Sequence, residues 1–171
     1  MEEAPWRTIP ELIEYSATTY GNHQALVDGE FQLSFTELKD EIYKSANALI
    51  ETGLTPGDRI GIWAPNTWEW VIAALGVHVA GGVLVPINTR FKGKEASYVI
   101  TKADISLLFT VTDFLETNYV KLLEGTDAET KLQEIVILRG NADKKTTAFN
   151  DFLSRANESR IHEVQARVEG V

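Results

Sequence analysis

The sequence predicts an α/β fold with a mainly parallel sheet and flanking helices, on three observations. Arg59–Ala64 and Val83–Val85 are almost wholly apolar runs of strand length, as strands covered on both faces of a parallel sheet should be. A helix-length segment joins them and stops at Gly81-Gly82, where glycine ends a helix without a Cβ penalty. Strand and helix patterns then keep alternating toward the end of the chain, the mark of βα units.

Each element has a local reason. Thr8-Ile9-Pro10-Glu11 is a capping box with proline in the first turn, so a helix opens there and Gly21 closes it. Its inward side carries Ile9, Leu12, Ile13, Ala17 and Tyr20. Asp28-Gly29 between two apolar segments signals a hairpin. Ser34-Phe35-Thr36-Glu37 is a second capping box. Its helix has Leu38, Ile42, Ala46, Leu49 and Ile50 at helical spacing and ends at Gly53.

After the strand Arg59–Ala64, Pro65 stops the run and Asn66 or Thr67 is expected to cap the central helix through its side chain. That helix runs to Ala80 with Trp70, Val71, Ala74, Leu75 and His78 or Val79 on one face. A crossover of this kind is right-handed. A helix follows over Lys94–Lys102 and a strand over Ile105–Thr110. Asp113-Phe114-Leu115-Glu116 is expected to start a helix reaching about Leu123. Gly125–Lys131 reads as a polar loop, Glu134–Leu138 as a strand and Phe149–Ala156 as a short helix. The segment Arg139–Thr147 between them is polar. In the tail, residues 157–171, Ile161, Val164 and Val168 sit at the spacing of an amphipathic helix.

Composition narrows the function classes. The chain has 171 residues, enough for one domain with a core. Its net charge of −9 argues against a nucleic-acid surface. With no cysteine, disulfides, cysteine–zinc sites and thiol nucleophiles are excluded. The most apolar window, Val71 to Ile87, is broken by His78, Gly81-Gly82 and Pro86. It falls short of the roughly 20 apolar residues of a membrane span. The N-terminal MEEAPWR is acidic and unlike a signal peptide, so a cytoplasmic protein is expected.

Two stretches carry a family resemblance. APNTWEW at 64–70, followed by HVAGGVLVPINTR at 78–90, resembles the second core motif of the adenylate-forming enzymes. These are the acyl-CoA ligases, nonribosomal peptide adenylation domains and luciferases. Leu33-Ser34-Phe35-Thr36-Glu37-Leu38 resembles their first core motif, in the right order upstream. The resemblance spans about Thr8 to Ala156. It implies the N-terminal portion of an acyl-CoA ligase, an AMP-binding enzyme of the fatty-acyl-CoA synthetase type. The full-length form would activate a carboxylic acid with ATP and magnesium to an acyl-adenylate, then transfer it to coenzyme A. The wording at 62–71 and 85–91 is most similar to fatty-acyl-type ligases, including bacterial ones acting on ring-bearing propionates.

The same resemblance implies what is absent. The family's Ser/Thr/Gly-rich phosphate loop ending in lysine, its magnesium-binding glutamate, its adenine and ribose contacts and its catalytic lysine lie downstream and match no position here. No catalytic, cofactor-binding or metal residue is therefore assigned. Residues 1–156 read as the α/β subdomain and 157–171 as a tail leading toward the missing phosphate-loop region, whose polypeptide is the expected partner. The isolated chain is expected to be inactive and to expose apolar surface at Trp63, Trp68, Trp70 and the tail. Self-association into a homo-oligomer would follow. The competing reading is a stand-alone, non-catalytic α/β interaction module.

Candidate chemistry within the chain is sparse. The turn after the first strand, Pro65-Asn66-Thr67, lacks the glycines of a dinucleotide or Walker loop. His23, His78 and His162 have no metal-ligand spacing. His78 reads as a residue near a helix C-terminus rather than a general base. Trp63, Trp68 and Trp70 read as core or contact residues rather than an acyl pocket. Ligands of open α/β sheets bind beyond the carboxyl ends of the strands. That marks Pro65-Asn66-Thr67, Ile87-Asn88-Thr89-Arg90 and Thr110-Val111-Thr112-Asp113, with Arg90 the one cation, read as solvated or structural rather than a phosphate contact.

Overall fold

The computed structural model describes residues 4–170. Met1–Glu3 and Val171, the outer ends of the N-terminal stretch and of the tail, lie outside the described residues. Helices α1 (Ile9–Tyr20) and α2 (Phe35–Glu51) flank a hairpin of β1 (Gln24–Asp28) and β2 (Phe31–Ser34). Both capping boxes form. The Thr8 and Ser34 hydroxyls accept from the N–H of Glu11 and Glu37, whose carboxylates accept from the capping residues' own N–H.

The main body follows in order: β3 (Arg59–Trp63), α3 (Trp68–Val79), β4 (Val83–Pro86), α4 (Gly93–Lys102), β5 (Leu107–Val111), α5 (Tyr119–Leu123), α6 (Asp127–Lys131), β6 (Glu134–Arg139), β7 (Thr147–Ala148), α7 (Phe149–Leu153), a 3₁₀ turn at Glu158–Arg160 and α8 (Ile161–Glu169). The last five strands form one sheet in the order β4-β3-β5-β6-β7, every pair parallel. The chain steps outward from β3 to β4, then returns past β3 to β5. Right-handed crossovers in opposite directions put α3 and α4 on opposite faces. Helix α3 accordingly packs with α1, α2 and α8, and α4 with α5 and α6. The sheet is thereby covered on both sides, which is why Ile60, Ile62, Leu108, Phe109 and Val136 are all buried.

Helix α3 is enclosed more fully than its pattern implied. Its buried residues are Glu69, Ile72, Ala73, Ala74, Gly76, Val77 and Val79. Of the face expected to point inward, Trp70, Val71, Leu75 and His78 are only half-buried. The helix is apolar all round, so its own pattern could not choose a face; close packing against α2 did. A Cβ on Gly76 would lie 2.5 Å from the Ser45 Oγ of α2, so the two helices approach closely there. Gly93 is equally constrained, since its Cβ would overlap the Leu122 carbonyl.

Four expectations need correction. Thr67 stands at the N-cap of α3 but makes no side-chain cap bond; Asp28 of the hairpin accepts from the Trp68 N–H instead, at 3.1 Å. Asp113-Phe114-Leu115-Glu116 starts no helix. Phe114 and Thr117 exchange N–H···O bonds across a tight turn, with Leu115 and Glu116 at φ +51 and +59. Helix α5 begins later, capped by Asn118, which accepts from the Lys121 N–H. The expected loop at Gly125–Lys131 contains α6, held by the Ala128 N–H donating to Ser97 Oγ at 3.1 Å. Trp63 is fully buried, not exposed.

The tail packs back onto the body. Asn47 donates to the Asn157 carbonyl at 2.9 Å and accepts from its N–H at 3.0 Å. Val164 is buried and Val168 half-buried, while Ile161 stays 48% exposed. Arg167 donates to the carbonyls of Leu54 at 3.0 Å and Ala80 at 2.8 Å, just past the ends of α2 and α3. Ala80 is the C-cap of α3, so its carbonyl is one that a helix end leaves without an intrahelical partner.

Candidate functional site

All five strands run parallel, and the direction in which the chain progresses across the sheet reverses between β3 and β5. In open α/β sheets the crevice outside the carboxyl ends at such a point is where ligands bind. Here that edge is built from the turns Pro65-Asn66-Thr67, Ile87–Arg90, Thr112–Asn118 and the start of the segment after β6. Two aromatic side chains hold the second turn in place. The Trp63 indole N–H donates to the Asn88 carbonyl at 3.0 Å, and the Tyr119 hydroxyl to the Thr89 carbonyl at 2.8 Å. Their rings lie 4.3 Å apart between centroids. Burial raises the pKa of Tyr119 above its ordinary value, so this phenol stays a neutral donor. The Asn88 side chain closes the turn by accepting from the Arg90 N–H at 2.9 Å. The Asn88-Thr89-Arg90 segment is thus a braced turn.

At the next turn the Asn141 N–H donates to Thr112 Oγ1 at 2.8 Å, and the Thr112 N–H to the Arg139 carbonyl at 3.1 Å. Leu115 projects from the tight turn beyond β5 and is 81% exposed.

The N-terminus of α3 is the natural anion site of this fold, because its unpaired N–H groups point outward. Its first N–H, that of Trp68, is already bonded by the chain itself. Asp28 Oδ2 accepts from the Trp68 N–H and, at 2.5 Å, from Nη2 of Arg139. Nε of Arg139 donates to both oxygens of Glu69 at 2.8 and 2.9 Å. The Glu69 side chain is 7% exposed. The Trp68 N–H, and then Arg139, hold the Asp28 carboxyl below its ordinary range. The hydrogen bond that Arg139 donates to Glu69, and then the one it donates to Asp28, raises the Arg139 pKa. Sequence reading missed this trio. Glu69 and Arg139 are 70 positions apart, and no local pattern joins them.

At this edge the turn after β3 has no glycine cradle, the Trp68 N–H is taken by Asp28, and no group of three or more His, Cys, Asp or Glu is gathered for a metal among the described residues. The Arg90 side chain is exposed. The His23 ring Nδ1 lies 2.7 Å from the Tyr20 carbonyl. Burial lowers the pKa of half-buried His78, so it stays neutral near the helix end. His162 is exposed. Of the tryptophans, Trp63 is core and Trp68 stacks on Phe31 at 4.1 Å. Trp70 is half-buried against the core.

The AMP-binding enzyme family matches residues 13–168. The chain belongs to that family. It is 35% identical, over its whole length, to a ligase of Rhodococcus jostii (strain RHA1) named 3-[(3aS,4S,7aS)-7a-methyl-1,5-dioxo-octahydro-1H-inden-4-yl]propanoyl:CoA ligase, of which it covers 34%. It is 32% identical to a human mitochondrial medium-chain acyl-CoA ligase across 69% of this chain and 20% of that protein. The chain thus spans about a third of the length of the first of these curated relatives. Among solved structures, the anthranilate CoA ligase AuaEII superimposes with a TM-score of 0.78 at 22% identity, over 91% of this chain and 29% of that one. At that identity the likeness speaks for the fold.

Proposed function

We propose that this chain is the N-terminal α/β portion of an AMP-forming acid–CoA ligase. Residues 1–156 supply its body and 157–171 lead toward the part carrying the phosphate loop. The whole enzyme would activate a fatty or ring-bearing carboxylic acid with ATP and magnesium and pass the acyl group to coenzyme A. The observation that carries this reading is 35% identity along the entire chain to a CoA ligase for a ring-bearing propanoyl group. Within the chain, the carboxyl edge of the sheet acts as scaffold. Trp63 and Tyr119 brace one turn and Asp28 takes the first N–H of the α3 terminus, so no reacting group is assigned to this portion.

The test is acid-dependent exchange of pyrophosphate into ATP. The purified 171-residue chain is expected to show none. A protein in which the chain continues into a Ser/Thr/Gly-rich run ending in lysine is expected to show it with a ring-bearing or medium-chain acid. Exchange by the chain alone would overturn the assignment of chemistry to the downstream part.

A further inference from the structure

We infer that the β1–β2 hairpin is a hinged flap, held shut against the start of α3 by the Asp28–Arg139–Glu69 ion trio. The hairpin pairs only with itself, as a separate two-stranded sheet. No residue of Gln24–Ser34 is fully buried. Isolated hairpins of this kind are marginal in water, and segments with few buried apolar contacts open at low free-energy cost. Its base is tied to the neighbouring helices by two backbone bonds, Phe35 N–H to His23 carbonyl and Thr36 N–H to Gly21 carbonyl, each 3.1 Å. Gly21, at φ +49, marks the hinge.

The tip is held differently. Asp28 takes the Trp68 N–H and the Arg139 guanidinium, while Phe31 lies flat on Trp68 at 4.1 Å and 18°. Arg139 in turn is anchored on buried Glu69. Asp28, through two hydrogen bonds, and the Phe31 ring therefore tie this element to the end of β6 and the first turn of α3. Between the hairpin, α2 and α7 runs a groove of about 380 Å³, bordered by Phe31, Leu33, Trp68 and Leu153. One wall of that groove moves with the flap. When the latch breaks, the flap swings about its base and the α3 N-terminus loses its cap, while the sheet stays folded.

Amide hydrogen exchange on the protein tests this with two variants. Asp28→Ala removes the latch at its exposed end. Arg139→Lys keeps a cation for Glu69 but cannot fork to both carboxylates. Each is expected to speed exchange at Gln24–Ser34 and at Trp68 by about tenfold or more. The amides of β3, β5 and β6 should stay within about twofold. Should Arg139→Lys fail to fold, Asp28→Ala decides alone. Unchanged hairpin exchange, or equal acceleration in the sheet, would overturn the flap; the second result would mark the trio as part of the global fold.

Discussion

Two arginines fasten two peripheral pieces to the body of the fold, and they do it with opposite chemistry. Arg139 holds the hairpin through carboxylates, and its own side chain is 42% exposed. Arg167 holds the tail helix chiefly through the backbone carbonyls of Leu54 and Ala80, and is 13% exposed. Carboxylates titrate and are screened by salt; carbonyls do neither. The piece held by carboxylates is the one without a buried residue, whereas the tail also inserts buried Val164. The difference teaches that the hairpin is built to let go before the tail does.

The largest effect expected is from Arg167→Met. It leaves two carbonyls near helix ends without a partner and Glu163 without one of its two arginines. Urea unfolding should show a loss of about 3 kcal/mol. Arg139→Met should cost less, about 2 kcal/mol, since the guanidinium is 42% exposed and water can take the place it leaves beside Glu69. If Arg139→Met proved the costlier, the contrast between clasp and latch would break. Asn47→Ala removes both bonds to Asn157 and is expected to cost about 1.5 kcal/mol, visible as earlier proteolysis of the tail.

Acid sharpens the comparison further. The folded-state pKa of Asp28 is lowered by the Trp68 N–H and Arg139. Its contribution is therefore present above the ordinary carboxylate pKa of about 4 and is lost as pH falls through the lower folded value. Glu163 is lowered in the same sense by Arg160 and then Arg167, so the tail loses that bond in the same range but keeps its two carbonyl bonds. In an acid titration followed by amide exchange, hairpin protection should fall before that of α8. The smallest effect is expected at Thr67→Ala, within about 0.5 kcal/mol, because Thr67 makes no side-chain cap bond. A loss near 1 kcal/mol in thermal unfolding would return the cap to Thr67 and weaken the role given to Asp28.

The elements closest to local chemistry were the most legible. Both capping boxes, the Asp28-Gly29 hairpin and the strand–helix–strand unit around Gly81-Gly82 appear as read. Local rivalry explains the displaced helix start, since Asp113 and Asn118 are both capping residues and Asn118 prevails. Strand β7 escaped because Thr147-Ala148 has no apolar run; it exists by pairing with Val136 and Ile137. Trp63 was expected at a surface. Its indole is instead buried beneath the turn whose Asn88 carbonyl it satisfies.

By itself the sequence determined the α/β class, most of the strands and helices, and the family. Hydrophobic period, caps and glycine stops are short-range, and the two core motifs are contiguous. Only the tertiary structure decided which face of α3 is buried, what caps its first turn, and where the tail goes. Those outcomes rest on pairs such as Asp28 with Trp68, Asn47 with Asn157 and Arg167 with Ala80, separated by 40, 110 and 87 positions. No residue's local pattern specifies a partner so far away; the folded backbone chooses it by bringing an unpaired N–H or carbonyl within reach of a side chain whose own polar groups need one.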